Sequence, residues 1–464
     1  MKRCEARGAL RVAVVDGERC ATRELFNQPG AGDTGPDDAD HSSREVNGCQ
    51  PPSIERLVAR PFTRSTRAAK PAIASTVTTR RRNAMTARNV AMDFLLPTVV
   101  RVPVHMLGDV GTDVGSEAMV SDLLAAIDLQ ARACRRLGSV QYADLLDAIA
   151  TNVAEGGAFA DLLHSRSDRP VHDALLLRLL GSLHGLALAG HAPELAARFP
   201  SCGGDGSPVP LDETMVVLAR ERAAIEDGLS RHVQTNEPGR SIALLMLANW
   251  LPSVGIDEFD LLEVGSSAGL NLSFDDYAAD TGHGVLGRQG SSLAFPSSWF
   301  NRAPSVVAGQ ARCVERRGCD VAPLNLVDDA VRLQSFVWPD QGERLARLRA
   351  AIGIAQPHGA RVEQASADEW VTRHLTGRTP QSRPVLVFHS IVWQYLGTQV
   401  QERLRAAIVH AGEAAACGPV VWARMEPAGE RADLRADAWI DGIHSQYVLA
   451  DIGYHGADVT WCGS

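Results

Sequence analysis

The 464-residue sequence has little of three things: paired cysteines, long apolar runs and excess basic charge. Its nine cysteines form no C-x-x-C pair and no Cys/His cluster with zinc-ligand spacing, so no metal site is expected. No apolar run reaches the roughly 18 residues that a membrane-spanning helix needs, and the N-terminus has no uninterrupted secretory core. We therefore expect a cytoplasmic protein with reduced thiols and no membrane partner.

The charge balance narrows the class of partner. The formal net charge is −9 and the isoelectric point is near 5.9, which argues against nucleic acid because phosphate binding needs a basic face. A hydrophobic fraction of 45% with 22% charged residues fits a globular protein. A small-molecule substrate is the natural expectation, and the sequence carries no sign of an oligomeric state.

Composition and periodicity divide the chain into three regions. Residues 1–115 are rich in Gly, Pro, Ser and Arg, and their few apolar residues follow no period, which predicts disorder or an over-extended start ahead of Met85, Met106 or Met119. Residues 116–252 carry apolar residues at three- and four-residue steps, as in VSDLLAAIDLQARACRRLG, with Gly138 as a helix stop. This pattern predicts an all-α domain.

Residues 253–464 show a different period. Short apolar runs such as FDLLEVG, PVLVFHSIV and GPVVWARMEP alternate with amphipathic stretches such as QGERLARLRAAIGIA and TQVQERLRAAIVHAG. Alternation of this kind predicts parallel strands with crossover helices, hence an α/β sheet. The end of the chain, DAWIDGIHSQYVLADIGYHGADVTW, has two strand-like runs and predicts an antiparallel hairpin at the edge of that sheet.

The segment GSSAG at residues 265–269 follows the first of these strands and fits two patterns. It matches a glycine-rich turn in which Gly265 and Gly269 let backbone amides approach a nucleotide-like ligand. It also matches G-x-S-x-G, the elbow that exposes a nucleophilic serine in α/β-hydrolases, here Ser267. A hydrolase elbow lies in mid-sheet, whereas this strand comes first after more than a hundred helical residues. The position of this strand therefore favours a ligand-binding loop over a nucleophile elbow.

Two other functions stay open. As a serine hydrolase, the protein would use Ser267 with an aspartate such as Asp441 and with His455, which follow it in triad order. As a non-catalytic protein, it would bind a nucleotide-like ligand without turnover.

The stretch EVGSSAG at residues 263–269 resembles the first motif of class I S-adenosylmethionine-dependent methyltransferases, in which an acidic residue precedes G-x-G-x-G. Ser267 stands where the middle glycine of that motif is found. From about Leu123 to Trp461 the chain is also identified as a member of an uncharacterised bacterial domain-of-unknown-function family. The blocks that carry this likeness include DALLLRLLGSLHGLALAG, QTNEPGRS, LLEVGSSAGLNLSFDDY and VFHSIVWQYL.

The methyltransferase resemblance implies a Rossmann-like sheet ending in an antiparallel hairpin, with S-adenosylmethionine as cofactor and a small-molecule methyl acceptor. It also implies an acidic residue at the end of the second strand, for which Asp320 is preferred over Glu315, and a polar segment beside the adenine, which contains Asp368. The cofactor-binding residues implied in this way are Glu263, Gly265, Ser266, Ser267, Gly269, Asn271, Asp320 and Asp368.

Two further segments supply candidate catalytic and substrate residues. The strand PVLVFHSIV runs into His389, a candidate general base, and polar groups at the carboxyl end of a strand face the ligand crevice. The alternative is that His389 is a buried, hydrogen-bonded histidine. Tyr395 joins His389 in the catalytic set, and Trp393 is placed over a substrate. The segment QTNEPGRS supplies substrate contacts through Gln234, Asn236, Glu237 and Arg240, unless it only caps a helix.

Overall fold

The computed structural model describes residues 114–164, 166, 169–359, 361–414 and 418–463. The expectation about residues 1–115 lies outside this part of the chain, apart from the first two residues of the first helix. The described part is a mixed α/β protein in which helices come first and a large sheet follows. No helix within it is long and apolar enough to cross a membrane.

The α-helices that precede the first strand are α1 (Val114–Arg136), α2 (Val140–Ala154), α3 (Ala158–Leu163), α4 (Leu175–Leu188), α5 (Pro193–Ala196), α6 (Leu211–Ser230) and α7 (Ser241–Trp250). The predicted apolar stripe of α1 is confirmed, because Leu123, Ile127 and Ala131 are all buried. Gly138 follows α1 with φ of +88°, as expected of a residue that ends a helix. The first six helices enclose a common apolar core.

Helix α7 differs from the helices before it, because all ten of its residues are buried. A helix that is apolar on every side lies in a protein interior. Its side chains pack with Phe259 and Leu261 of the first strand, in the same core as one face of the large sheet. The core of the α/β part thus reaches back to residue 241.

The strands and remaining helices follow in chain order. They are β1 (Glu258–Val264), β2 (Ala278–Asp280), β3 (Val285–Gly287), β4 (Ala294–Phe295), β5 (Phe300–Arg302), β6 (Arg312–Asp320), α8 (Ala330–Ser335), α9 (Gly342–Ala355), β7 (Val362–Gln364), α10 (Ala367–Leu375), β8 (Val385–Ser390), α11 (Thr398–Glu413), β9 (Val420–Ala428), β10 (Arg431–Ile440), β11 (Ile443–Ile452) and β12 (Val459–Trp461).

The large sheet has nine strands in the order β5-β12-β11-β10-β9-β8-β1-β6-β7. The five strands from β9 to β7 are mutually parallel. The pairs β9/β10, β10/β11 and β11/β12 are antiparallel, and β12 is parallel to the edge strand β5. Residues alternate between the two faces, as strand geometry requires. Leu261 and Leu386 pack towards α7 and α9, while Leu262 and Val387 pack towards α10 and α11.

Two details differ from the sequence-based expectation. The predicted alternation of parallel strands with crossover helices would place a helix after β1, but the chain forms a 3-10 helix, Leu270–Asp276, and then a small sheet of β2, β3 and β4. Ser273 departs from helical angles inside this segment, which prevents a regular helix. The predicted hairpin is present as β10 and β11, joined at Asp441 and Gly442 with φ of +51° and +77°. It is not at the edge, because β12 and β5 lie beyond β11.

Candidate functional site

The candidate site lies where the carboxyl ends of β1 and β8 meet. The two strands are parallel neighbours, and Val264 is paired with His389 in their register. The loops that follow them touch: a side chain at Gly265 would meet the Val392 side chain at 2.5 Å. Gly265 is therefore required here both by its φ of +70° and by the close approach of the β8 loop.

The loop after β1 uses its own backbone amides for internal contacts. The amides of Gly265 and Ser266 donate to the carbonyl of Cys319 at 2.8 and 3.0 Å, and the amide of Ser267 donates to the Asp320 carboxylate at 3.0 Å. Ser267 has φ of +54°, a left-handed conformation that is rare for a residue with a side chain. Because these amides are occupied, the loop is not an open nest for phosphate.

The same loop carries buried oxygen atoms that have no hydrogen-bond partner within the described residues. They belong to the side chains of Glu263 (Oε2), Ser267 (Oγ) and Asn271 (Oδ1), and the Gln234 Oε1 atom has the same property. Glu263 and Asn271 are only 2% and 3% exposed. Buried polar atoms are normally hydrogen-bonded, so this group of acceptors is suited to a ligand or water that donates protons.

Glu263 is also electrostatically unusual. Burial raises its pKa from 4.5 to about 7, although the nearby side chains of Asn271 and Ser266 act to lower it. A carboxyl group of this kind changes charge close to neutral pH. Such perturbed groups in a cleft are common at functional sites.

Asp320 stands at the end of β6, as expected for the acidic residue of the second parallel strand. Its carboxylate accepts hydrogen bonds from the amides of Ser267 and Ala322 at 3.0 and 2.9 Å, and from Gln234 at 3.5 Å. Asp320 therefore ties the β1 loop to the segment that follows β6. It is only partly buried, and a carboxylate has about four acceptor positions, so it retains room for one more donor.

The segment QTNEPGRS crosses this end of the sheet. Gln234 donates to the carbonyl of Ala322 at 2.6 Å, and Asn236 accepts from the amide of Leu270 in the β1 loop at 3.0 Å. Further along, the Arg240 Nε atom donates to the carbonyl of Tyr454 near the end of the chain, at 3.1 Å. These contacts span β6, the β1 loop and the C-terminal segment.

Glu237 of the same segment is buried and pairs with Arg344 of α9, with an Oε2 to Nε distance of 2.5 Å. Burial acts to raise the pKa of Glu237, but the charges of Arg344, His455 and Arg240 outweigh it and the pKa is lowered. Glu237 thus stays ionised as a fixed part of the protein.

The β8 loop is organised around His389, which has no exposed surface. Its Nδ1 atom lies 2.6 Å from a carboxylate oxygen of Glu426, and its Nε2 atom accepts from the indole N–H of Trp422 at 3.1 Å. An indole nitrogen only donates, so Nε2 is the acceptor and Nδ1 carries the proton. Both ring nitrogens are used inside the protein, which favours the alternative of a buried histidine over a general base.

The aromatic residues of this loop have different surroundings. The Trp393 ring stacks on His389, with centroids 5.4 Å apart, and the Arg405 guanidinium lies 5.4 Å from the Trp393 ring. Trp393 is therefore held by packing rather than standing free. Tyr395 is 75% exposed and lies near enough to Arg240 to influence its pKa.

Asp368 follows a segment that is bonded to Asp320, since the amide of Ala365 donates to the Asp320 carbonyl at 3.0 Å. Asp368 is buried in the first turn of α10, where it accepts from Arg403 of α11 at 2.5 Å and from the hydroxyl of Ser366. These contacts join α10 to α11. A role beside a cofactor would require Asp368 to leave this ion pair.

The triad order proposed for a hydrolase is not matched in space. Asp441 is exposed in the turn between β10 and β11, whereas His455 follows the opposite end of the ten-residue strand β11. At about 3.4 Å per residue, the two are separated by on the order of 30 Å. Asp441 cannot orient His455, so this particular triad is wrong.

Several residues of the site escape sequence reasoning. Glu426, Trp422 and Val392 hold the β8 loop, and Arg344 pairs with Glu237. Glu426 has a usable signal, since it is an acidic residue near the carboxyl end of a predicted strand. Arg344 has none, because an arginine in an amphipathic helix normally indicates a solvated face.

The fold and this cluster define a mixed α/β protein with a polar site at the carboxyl ends of adjacent parallel strands. Residues 125–461 match a family described as an uncharacterized protein conserved in bacteria (DUF2332), and the chain belongs to that family. Comparisons with curated proteins and with solved structures find no match.

Proposed function

We propose that this protein binds S-adenosylmethionine at the β1 loop and transfers its methyl group to a small-molecule acceptor. The observation that carries the proposal is the pair of buried, unpartnered oxygens of Glu263 and Asn271 beside Asp320. The cofactor offers donors for such oxygens, namely an ammonium group and ribose hydroxyls. The oxygens of these residues therefore fit the group.

The strand order supports the same proposal. Numbered by their appearance in the chain, the five parallel strands follow the order 3-2-1-4-5. In open α/β sheets of this order, ligands bind at the carboxyl ends of the strands where the order reverses, between the first and fourth strands. Here those strands are β1 and β8. The 3-10 helix after β1 and the small sheet beyond it depart from the Rossmann-like pattern.

S-adenosylmethionine would supply an electrophilic methyl group on sulfur. The protein's contribution would be to orient the two reactants, since a correct in-line arrangement lowers the barrier without further covalent chemistry. Glu263 and Asn271 would hold the cofactor, and the segment containing Asn236 and Arg240 would position the acceptor. His389 would act by fixing the β8 loop through Glu426, because its lone pair is already occupied.

The hydrolase alternative rests on Ser267, whose positive φ resembles the strained serine of a nucleophile elbow. Its hydroxyl, however, has no hydrogen-bond partner within the described residues, so no histidine activates it. A non-catalytic protein would use the same oxygens to bind its ligand but would have no site for a methyl acceptor. Binding, labelling and turnover distinguish these three functions.

The test is calorimetric titration of the full chain with S-adenosylmethionine and S-adenosylhomocysteine, compared with the variant Ser267→Gly. A glycine suits the positive φ and restores the middle glycine of the methyltransferase motif. We expect micromolar binding by the wild type, and equal or tighter binding by Ser267→Gly. A matched control is Ser291→Gly, which changes a serine in the small-sheet region away from the β1 loop.

Each result has a defined meaning. Absence of binding by a folded sample at millimolar ligand would refute the methyltransferase proposal. Labelling of the wild type by a fluorophosphonate, lost in Ser267→Gly, would support the hydrolase instead. Binding without methyl transfer to any acceptor in a small-molecule panel would support the non-catalytic alternative.

A further inference from the structure

Arg240 is held firmly at the rim of the candidate site. It ends a 3-10 helix, Pro238–Arg240, and its Nε atom donates to the carbonyl of Tyr454. The adjoining Gly239 lies so close to the C-terminal segment that an added Cβ would be 2.1 Å from the carbonyl oxygen of His455. The backbone before the arginine is therefore fixed, and its side chain is anchored on one edge of the guanidinium.

The remaining edge of that guanidinium has no counterion. Glu237 is already paired with Arg344, and Glu426 accepts hydrogen bonds from His389 and from backbone amides of the β8 loop. Among the residues that the structure describes, no carboxylate lies within ion-pairing distance of Arg240, and its two terminal nitrogens have no hydrogen-bond partner. Burial lowers the pKa of Arg240, although the charge of Glu237 acts to raise it. A desolvated cation without a partner is costly in a folded protein.

The surroundings of Arg240 add positive charge. Arg344, Arg240 and Arg347 all lie close enough to His455 to help lower its pKa to about 4. Removal of His455 from water is the largest cause of that shift, even though part of the residue reaches solvent. Glu237 is the carboxylate that opposes these arginines at His455, and Glu426 also acts on Arg240. An anion entering here would therefore meet a positive potential as well as a pair of free donors.

We infer that Arg240 binds an anionic oxygen group, a carboxylate or a phosphate, on the methyl acceptor. Two parallel N–H donors of a guanidinium match two oxygens of such a group. This inference rests on the proposed function. Arg240 lies near Tyr395 and Glu426 on the β8 side, and its charge also acts on Glu263, beside which the unpartnered oxygens suited to the cofactor's ammonium lie. The acceptor would thus be oriented by its charged end.

The test uses phenylglyoxal, which modifies accessible guanidinium groups, with peptide mass mapping of the full chain. Inorganic phosphate, acetate and neutral acetamide are the protecting probes. Arg312 is the internal control, because it is exposed and pairs with Glu258 at the opposite end of the sheet. A hydrogen bond to a charged group contributes about 1.5–3 kcal/mol. A saturating anion should therefore slow the modification of Arg240 by roughly tenfold or more.

Protection by phosphate alone would indicate a phosphorylated acceptor, and protection by both anions would indicate that carboxylates also fit. Equal slowing at Arg240 and Arg312, protection by acetamide, or no modification of Arg240 at all would overturn the inference.

The variant Arg240→Gln separates the acceptor from the cofactor. In this variant we expect that phosphate and acetate no longer slow the phenylglyoxal modification of other arginines of the site. We expect wild-type affinity for S-adenosylhomocysteine and for methylthioadenosine, which lacks the carboxylate. A selective loss of S-adenosylhomocysteine binding would assign Arg240 to the cofactor's carboxylate and contradict the inference. If the wild type binds neither nucleoside but phosphate still protects Arg240, the methyltransferase proposal fails and the anion site stands.

Discussion

Glu263 provides a quantitative test of the candidate site through the variant Glu263→Gln. The folded protein raises the pKa of this carboxyl group from 4.5 to about 7 by burial. At about 1.4 kcal/mol per tenfold change in acidity, the ionised side chain costs the fold about 3 kcal/mol above neutral pH. Because the folded state holds the proton more tightly than the unfolded chain, this cost is absent below pH 4.5 and grows as pH rises to 7.

A glutamine has nearly the same shape but no charge, so it escapes this cost. We expect Glu263→Gln to be about 2–3 kcal/mol more stable than the wild type at pH 8 and close to it at pH 5. Urea unfolding of both proteins at the two pH values measures the difference. The matched control is Glu315→Gln, which changes an exposed residue of β6 and should leave the pH dependence as in the wild type.

The same substitution should weaken cofactor binding. A neutral amide cannot balance an ammonium group, and loss of a hydrogen bond between charged groups costs about 1.5–3 kcal/mol. We therefore expect a stabilised protein that binds S-adenosylmethionine roughly tenfold or more weakly, measured by calorimetry at pH 8. A variant that is less stable than the wild type at pH 8 would refute the electrostatic reasoning, and unchanged affinity would remove Glu263 from the cofactor site.

Two further predictions concern stability. Burial lowers the pKa of His184 from 6.5 to about 4, so the folded state resists protonation and the free energy of unfolding falls as pH drops below 6.5. Between pH 7 and pH 5 this residue should account for about 2 kcal/mol of the fall in the wild type. Urea unfolding of His184→Gln should show a fall that is smaller by that amount. Gly265→Ala should cost about 2–4 kcal/mol, from its φ of +70° and the contact with Val392. Gly429→Ala, with φ of +86° and open space around the added Cβ, should cost only the backbone strain. Adding Val392→Ala to Gly265→Ala should remove the steric contact and recover its share of the cost.

Much of the secondary structure is predictable because it depends on local patterns. The apolar stripe of α1 needs only a period of 3.6, and the runs that became β1, β8 and β9 need only apolar composition between helices. The connection between β1 and β6 could not be predicted in the same way. It contains a 3-10 helix and strands of two or three residues, which are too short to leave a periodic signal.

The candidate site is only partly predictable, for a related reason. The position of Asp320 follows from its place at the end of a strand, and the structure brings it to the β1 loop. The occupation of His389 by Glu426 and Trp422 depends on pairing between β8 and β9, and no short-range pattern specifies that contact. Sequence can locate polar residues at strand ends, but only tertiary contacts determine which of them stay free for a ligand.

The distinction between occupied and free groups indicates how a ligand would be oriented in the site. Two groups that the sequence suggests for catalysis or substrate binding, His389 and Glu237, are satisfied by partners inside the protein. The groups left without partners are acceptors around Glu263 and donors on Arg240. A ligand that donates at the β1 loop and accepts at Arg240 would satisfy both. Proton donors therefore belong at one end of the bound molecules and an anionic group at the other.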